Sequence, residues 1–181
     1  ANRSDAFTRS ITLLDVTPLS LGVEIMGGVM DILVDRNTII PYKVSRLYST
    51  DNDNEKSVTI KVYEGERTMT MHNCKIGEFE LENLPEYPRG VPEIKIKFAI
   101  DSNGIVTVTA KEKDVNEKKS IIVTTNKNGL SKMEIESLVE EAKQQEIMDQ
   151  LEKALRVGHY EIVELRNNII ENIKNKKFIR I

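Results

Sequence analysis

Hydrophobic residues along this 181-residue chain follow two periods, and the change falls near residue 128. Up to that point they alternate with polar ones. Leu19-Ser20-Leu21-Gly22-Val23-Glu24-Ile25 alternates and then meets Gly27-Gly28, a dipeptide that supplies the positive φ of a tight hairpin. Residues 29–34 are predicted to return as its partner strand. Val58, Ile60 and Val62 alternate with Thr59, Lys61 and Tyr63, giving one apolar face. Ile94, Ile96, Phe98 and Ile100 alternate with Lys95, Lys97 and Ala99, the pattern of a half-buried strand. Asp101-Ser102-Asn103-Gly104 is a turn, Val106, Val108 and Ala110 face inward on the answering strand, and residues 120–125 give one more. Pro85, Pro88 and Pro92 exclude residues 83–92 from a central ladder. Short strands punctuated by hairpin turns predict a two-sheet antiparallel β-sandwich over residues 15–128.

Beyond residue 128 there is no proline and the period becomes helical. Ser131 and Glu134 have the S-x-x-E spacing of a capping box, in which each side chain satisfies an amide of the first turn. Ile135, Leu138, Val139 and Ala142 follow as one stripe. A second helical stretch runs from about 147 to 155, Gly158 interrupts, and a third runs to about 173. The first helix is expected to cover the sandwich, with the later ones extending beyond it. The fold class is therefore mainly β with α: a sandwich, then helices over 129–181.

Lys+Arg is 26 and Asp+Glu is 29, a net charge of −3 with neutral histidine. That balance argues against a generally basic nucleic-acid binder, because clustered Lys and Arg carry affinity for phosphate backbones. At 39% hydrophobic and 30% charged, the chain is too apolar to be disordered. No stretch approaches the roughly 20 apolar residues of a membrane span, and the N-terminus shows no apolar signal-peptide core. No membrane partner is expected. The single cysteine, Cys74, cannot form an intrachain disulfide, which fits a reducing compartment. His72 and Cys74 are the one candidate base–nucleophile pair; in a strand their spacing would put both on one face. A zinc site needs about four ligands, and no metal site is expected.

Several blocks together carry a resemblance: Asp15-Val16-Thr17-Pro18-Leu19-Ser20-Leu21-Gly22, Gly27-Gly28-Val29-Met30, Asn37-Thr38-Ile39-Ile40-Pro41, Val62-Tyr63-Glu64-Gly65-Glu66-Arg67, Pro88-Arg89-Gly90-Val91-Pro92, Phe98-Ala99-Ile100-Asp101-Ser102-Asn103-Gly104-Ile105 and Gly129-Leu130-Ser131. In this order and at nearly this spacing, from about residue 12 to 142, they resemble the substrate-binding domain of the 70-kDa heat-shock protein chaperones. The resemblance implies a sandwich that holds extended hydrophobic segments of unfolded polypeptides under an α-helical lid, in stress response and protein folding. Control would come from ATP and Mg in an upstream domain of the full-length protein. The chain has no G-x-x-x-x-G-K-[ST] and no glycine-rich phosphate loop, so it is expected not to be an enzyme and to need no cofactor itself.

Carried over residue by residue, the resemblance assigns peptide contacts to Val23, Ile25, Met26, Tyr48, Ser49, Asp51, Glu55, Val58, Ile60 and Ile94. Val23, Val58, Ile60 and Ile94 suit the walls of a slot for one Leu-sized side chain. Burying such a side chain yields roughly 1.5–3 kcal/mol, whereas micromolar affinity needs about 8 kcal/mol. Backbone hydrogen bonds and lid closure must supply the rest. Two positions depart from the pattern. The side chains that arch over the bound peptide, usually both apolar or aromatic, are Met26 and Asp51 here, and a carboxylate caps an apolar contact at a cost. The arch is expected to be weakened, or to favour basic peptides. For the lid latch the resemblance pairs Arg89 with a helix carboxylate, and the register puts His159 there with Glu161 two residues on, so a looser lid is expected. Leu13-Leu14-Asp15 matches the end of an interdomain linker, giving an N-terminal segment over 1–14.

The implied partners are unfolded peptides, the protein's own nucleotide-binding domain, a J-domain co-chaperone and a nucleotide exchange factor. A cytoplasmic location is expected. The rival class is a β-sandwich adhesion or carbohydrate-binding module, against which stands the lack of Trp, with five Tyr and four Phe for sugar stacking. The basic tail Lys174-Asn175-Lys176-Lys177-Phe178-Ile179-Arg180-Ile181 suggests possible self-association.

Overall fold

The structure, a computed structural model, describes residues 15–115, 118–124 and 130–177. The elements are β1 (Leu21–Ile25), β2 (Val29–Val34), β3 (Tyr42–Tyr48), β4 (Val58–Glu64), a single 3-10 turn (Thr70–His72), β5 (Cys74–Leu81), β6 (Ile94–Ile100), β7 (Ile105–Glu112), β8 (Lys118–Thr124) and one helix, α1 (Lys132–Lys177). The strands form two four-stranded antiparallel sheets, in the orders β2-β1-β4-β5 and β3-β6-β7-β8. One hydrophobic core is shared between them. Leu21, Val23, Ile60, Val62 and Leu81 enter it from the first sheet, and Ile94, Ile96, Phe98, Val106, Val108 and Val123 from the second.

Alternation in the sequence translates directly into this arrangement. Along β6, Ile94, Ile96, Phe98 and Ile100 are buried while Lys95 and Lys97 are exposed. The β6–β7 register sets Phe98 opposite Val108 and Ile96 opposite Ala110, so the inward faces coincide. The β1–β2 hairpin turns at Gly27 and Gly28, whose φ values of 86° and 72° suit glycine. Gly77 on β5 is required for a different reason. A Cβ there would run into Ile121 and Val123 of β8, so the sheets approach too closely for any side chain.

Two strands lie outside the clean alternation. β3 and β5 have mostly exposed or half-buried residues, and β3 is the edge of its sheet. Tyr48 and Arg46 of β3 bond Asp31 of β2, Tyr48 at 2.6 Å, so a polar clasp joins the two sheets. Burial and that hydrogen bond raise the Tyr48 phenol above its ordinary pKa.

The helix begins as its capping box requires. The Ser131 amide donates to Glu134 Oε2 at 2.6 Å and the Glu134 amide to Ser131 Oγ at 3.3 Å. The Ser131 amide holds the Glu134 carboxyl below the ordinary range. The expected break at Gly158 is absent. α1 runs through it for 46 residues, about 69 Å at 1.5 Å per residue. One glycine weakens a helix by about 1 kcal/mol without stopping it when good helix formers flank it on both sides.

A Cβ added at Gly158 would meet nothing within 4 Å. Gly158→Ala is therefore expected to strengthen α1 by roughly 0.5–1 kcal/mol. Slower amide hydrogen exchange around residues 155–162 is the readout, and faster exchange would contradict a continuous helix.

Candidate functional site

The ten expected peptide-contact residues fall into two settings. Val23, Ile60 and Ile94 are buried in the shared core, and Val58 and Tyr48 are packed against it from half-buried positions. Ile25 and Met26 are exposed where β1 turns into β2. Asp51 is exposed and Glu55 half-buried in the loop after β3, where Glu55 Oε2 accepts the Asn52 amide at 3.4 Å. Ser49 Oγ donates to the Pro92 carbonyl at 2.7 Å. The apolar walls thus come from β1 and β4 of one sheet and β6 of the other, and the rim from two loops.

Each loop is fixed by polar contacts. Glu24, between Val23 and Ile25, accepts from Lys61 Nζ at 2.8 Å, from Thr70 Oγ1 at 2.8 Å and from Tyr63 OH at 3.0 Å. Burial pushes the Glu24 carboxyl up, but these three donors outweigh it and the net shift is downward. The Gly28 amide closes the turn onto the Ile25 carbonyl. On the other side, the Asn54 amide donates to the Tyr87 carbonyl at 2.9 Å, the Gly90 amide to Thr50 at 3.1 Å, and the Arg89 amide to Asp53 Oδ1 at 2.8 Å. The loop bearing Asp51 and the connection bearing Arg89 are consequently one unit.

Helix α1 spans both rims. Gly27 faces Val157, with an added Cβ falling 3.6 Å from Val157 Cγ2. Arg67, after β4, holds Asp149 through two hydrogen bonds of 2.7 Å, and the Thr68 amide adds a third at 3.2 Å. Arg67 also pairs with Glu141 at 3.0 Å, and His72 Nε2 lies 3.7 Å from Glu152 Oε2. At the other rim Arg89 pairs with Glu164. The fastened face, Glu141, Asp149, Glu152 and Glu164, is acidic. Ile147, Leu151, Leu155, Ile162 and Leu165 are exposed instead.

Several expectations change here. Of the early apolar stripe Ile135, Val139 and Ala142 are half-buried and Leu138 is exposed, and the ion pairs run further along, from Glu141 to Glu164. Arg89 meets Glu164 rather than His159 or Glu161, because the continuous helix presents a residue a turn further along than the broken register allowed. His159 lines a cavity of about 640 Å³ with Gly27, Gly28, Arg156, Tyr160 and Val163. A second cavity of about 290 Å³ is lined by Arg67, His72, Met148 and Asp149. None of the ten expected contacts lines either. His72 sits in the 3-10 turn rather than a strand and engages Glu152, while Cys74 is exposed at the start of β5. Asp15 precedes the Val16–Ile39 bridge and its carbonyl accepts the Ile40 amide at 3.0 Å. Leu13, Leu14 and the tail from Phe178 lie outside the described residues.

Sequence reasoning missed Arg67, Asp149 and Glu164. A polar stripe was available: Glu141, Gln145, Asp149, Glu152 and Arg156 recur at steps of four and three. Its partner arginines lie in loops, where no periodicity marks them.

The fold and its fastenings define a class: a two-sheet β domain whose loop ends are bridged by one long, ion-paired helix. The chain belongs to the Hsp70 protein family, whose match covers residues 3–178. It is 46% identical over 168 residues to the Chaperone protein DnaK of Mycoplasma mycoides, covering 90% of this chain and 27% of that protein. It is 45% identical over 168 residues to Heat shock cognate 70 kDa protein 3 of Dictyostelium discoideum, covering 91% and 26%. The chain thus spans about a quarter of the length of these relatives. The expectation that it is no enzyme rested on missing phosphate-binding motifs. It is withdrawn on this finding, since a family match over residues 3–178 does not set the chain apart from the family's ATPase.

The Arg67 guanidinium holds Asp149 below the ordinary carboxylate range, against the upward push of burial. A depressed folded pKa contributes stability above the ordinary aspartate value and loses it as pH falls through the folded value. Helix fastening should therefore persist at neutral pH and fail in acid. The side chains are 12% and 3% exposed, so Arg67→Ala strands a buried carboxylate at a cost of roughly 3–5 kcal/mol. Faster amide exchange over residues 141–156 is the expected result; unchanged exchange would show that the pair does not hold the helix.

Proposed function

We propose that this chain is a chaperone module that binds extended hydrophobic segments of unfolded polypeptides, with α1 as its lid. The observation that carries the reading is the bridge itself. The helix lies over the Gly27 turn beside Met26, is fastened through Arg67, and pairs at the opposite rim with Arg89, whose connection is bonded to the loop bearing Asp51. Its fastenings are ion pairs and hydrogen bonds, which break and re-form without exposing core. Exposed Ile25 and Met26 offer apolar contact, and half-buried Val58 marks the mouth of the slot. Val23, Ile60 and Ile94 floor it within the core, so a guest side chain enters by displacing packing at the rim. Backbone hydrogen bonding to an extended segment supplies affinity with little sequence preference.

The longer protein of which relatives are examples would couple this module to ATP and Mg, to its own nucleotide-binding domain, and to J-domain and exchange-factor partners. Among the described residues no group of three or more His, Cys, Asp or Glu side chains suits a metal. Exposed, unpaired Cys74 is in keeping with a reducing, cytoplasmic setting.

Titration of a fluorescent Leu-rich peptide tests the reading. Wild-type chain should bind in the micromolar range, and Val58→Phe, which fills the mouth, should weaken binding at least about tenfold, equivalent to 1.4 kcal/mol. Absence of wild-type binding, or binding indifferent to Val58→Phe in a folded variant, would overturn it. Asp51 adds a charge preference: Lys-flanked peptides should bind better than Glu-flanked ones, and Asp51→Ala should erase the difference.

A further inference from the structure

The chain has two histidines, and one of them stands beside the clamp formed by Arg67 and Asp149. His72 closes the 3-10 turn between β4 and β5. Its Nε2 faces Glu152 Oε2 at 3.7 Å, just beyond hydrogen-bond reach. The turn itself is held in place. Asn73 Nδ2 donates to the Arg67 carbonyl at 2.6 Å, and Asn73 Oδ1 accepts the Arg67 amide at 3.0 Å. The His72 amide donates to the Met69 carbonyl at 3.1 Å, and Thr70 Oγ1 donates to Glu24 on the sheet side at 2.8 Å. Arg67 and His72 therefore belong to one block, fixed to the sheet, that meets α1.

The charges around this block do not balance. From α1 come Asp149, Glu152 and Arg156, and from the loop after β4 comes Arg67, which also holds Glu141. Asp149 is matched by two nitrogens of Arg67. Glu152 Oε1 accepts from Arg156 Nε at 2.9 Å, and Arg156 Nη2 lies 3.3 Å from Met71 Sδ, next to His72. Among the described residues, three carboxylates thus meet two guanidiniums, an excess of one negative charge. On the sheet side Glu24 is already bonded by Lys61, Tyr63 and Thr70, and exposed Cys74 lies two residues on. One added proton on His72 brings the cluster to neutrality. Its field reaches beyond Glu152: Asp149 is held down by Arg67 first, then by the Thr68 amide and by His72.

We propose that His72 is a proton-dependent second clasp on α1, which mild acid tightens; as a control on peptide release it rests on the reading of α1 as a lid. Protonation places an N–H at Nε2 whichever nitrogen carried the hydrogen before, so that atom can donate to Glu152 Oε2 once the helix settles by a few tenths of an ångström. Imidazole ordinarily gains its charge between about pH 8 and pH 5. A proton held more strongly in the closed arrangement, where Glu152 and Asp149 are near, shifts the helix towards closure as pH falls. The stability so added is present on the acid side of that range and is lost as pH rises through it. Asp149 works in the opposite sense, because its carboxyl loses its charge only further into acid. Fastening is therefore tightest in mild acid and weaker on both sides. His72 and Glu152 are 33% and 34% exposed, so water screens the pair and the effect is a few-fold change in closure.

Two measurements on the intact chain, each at about pH 7.5 and about pH 6, test it: amide exchange over residues 145–156, corrected for its intrinsic pH dependence, and release of a fluorescent Leu-rich peptide that carries no titratable side chain. In the wild-type chain protection should rise and release should slow about threefold at the lower pH. His72→Gln should remove both responses and keep the faster release, whereas His72→Arg, charged throughout, should give the slower release at both values. His159→Gln should respond as wild type, since His159 lies towards Gly27 and Gly28. No rise in wild-type protection, a response that survives His72→Gln, or one that disappears in His159→Gln would each overturn the clasp. Protection that responds while release does not would support the clasp and count against α1 as a lid. Circular dichroism at both pH values establishes that the variants are folded.

Discussion

The Arg67–Asp149 pair is the contact on which the relation between helix and sheets depends. Asp149 is among the most buried charged residues described, and it accepts from both Arg67 nitrogens and from the Thr68 amide. Bidentate geometry of this kind fixes orientation as well as distance. With Asp149 placed, the 3.6-residue period decides which helix residues meet His72 and Arg89. The remaining ion pairs, more exposed, can contribute little individually and act as a register instead.

The helix consequently meets the sheets through a face that is fastened by charge, with Val157 over the Gly27 turn, while Ile147, Leu151, Leu155, Ile162 and Leu165 stay exposed, unlike an ordinary amphipathic arrangement. The difference is energetic in kind. Apolar docking loses free energy in proportion to area exposed, about 25 cal/mol per Å², and would resist opening. Ion-paired docking exchanges one set of hydrogen bonds for another with water, so the open and closed arrangements lie closer together. Under the proposed function, such a near balance suits a lid over a transient guest.

Much of the β architecture was legible because burial on one face forces alternation. The β6 run Ile94-Lys95-Ile96-Lys97-Phe98 could scarcely fold otherwise, and β1, β4 and β7 follow the same logic. β3 escaped because, at a sheet edge, Tyr42–Tyr48 has no fully buried positions to set a period. Gly158 misled because an intrinsic propensity of about 1 kcal/mol was weighed as a stop and not as a local weakness. Of the site, the rim and wall positions came from family resemblance laid on the strand pattern. The fastening did not, because Arg67 and Arg89 lie in loops and find their carboxylates more than 70 residues away. No spacing rule reaches that far.

An unbroken α1 also acts as a rigid lever. From Asp149 to Glu164 is fifteen residues of sequence, about 22 Å along the axis. A tilt of about 10° pivoting at the Arg67 clamp would sweep the far end by about 4 Å over that arm, more than an ion pair spans. A hinge-free rod thereby converts a slight loosening at one rim into complete release at the other.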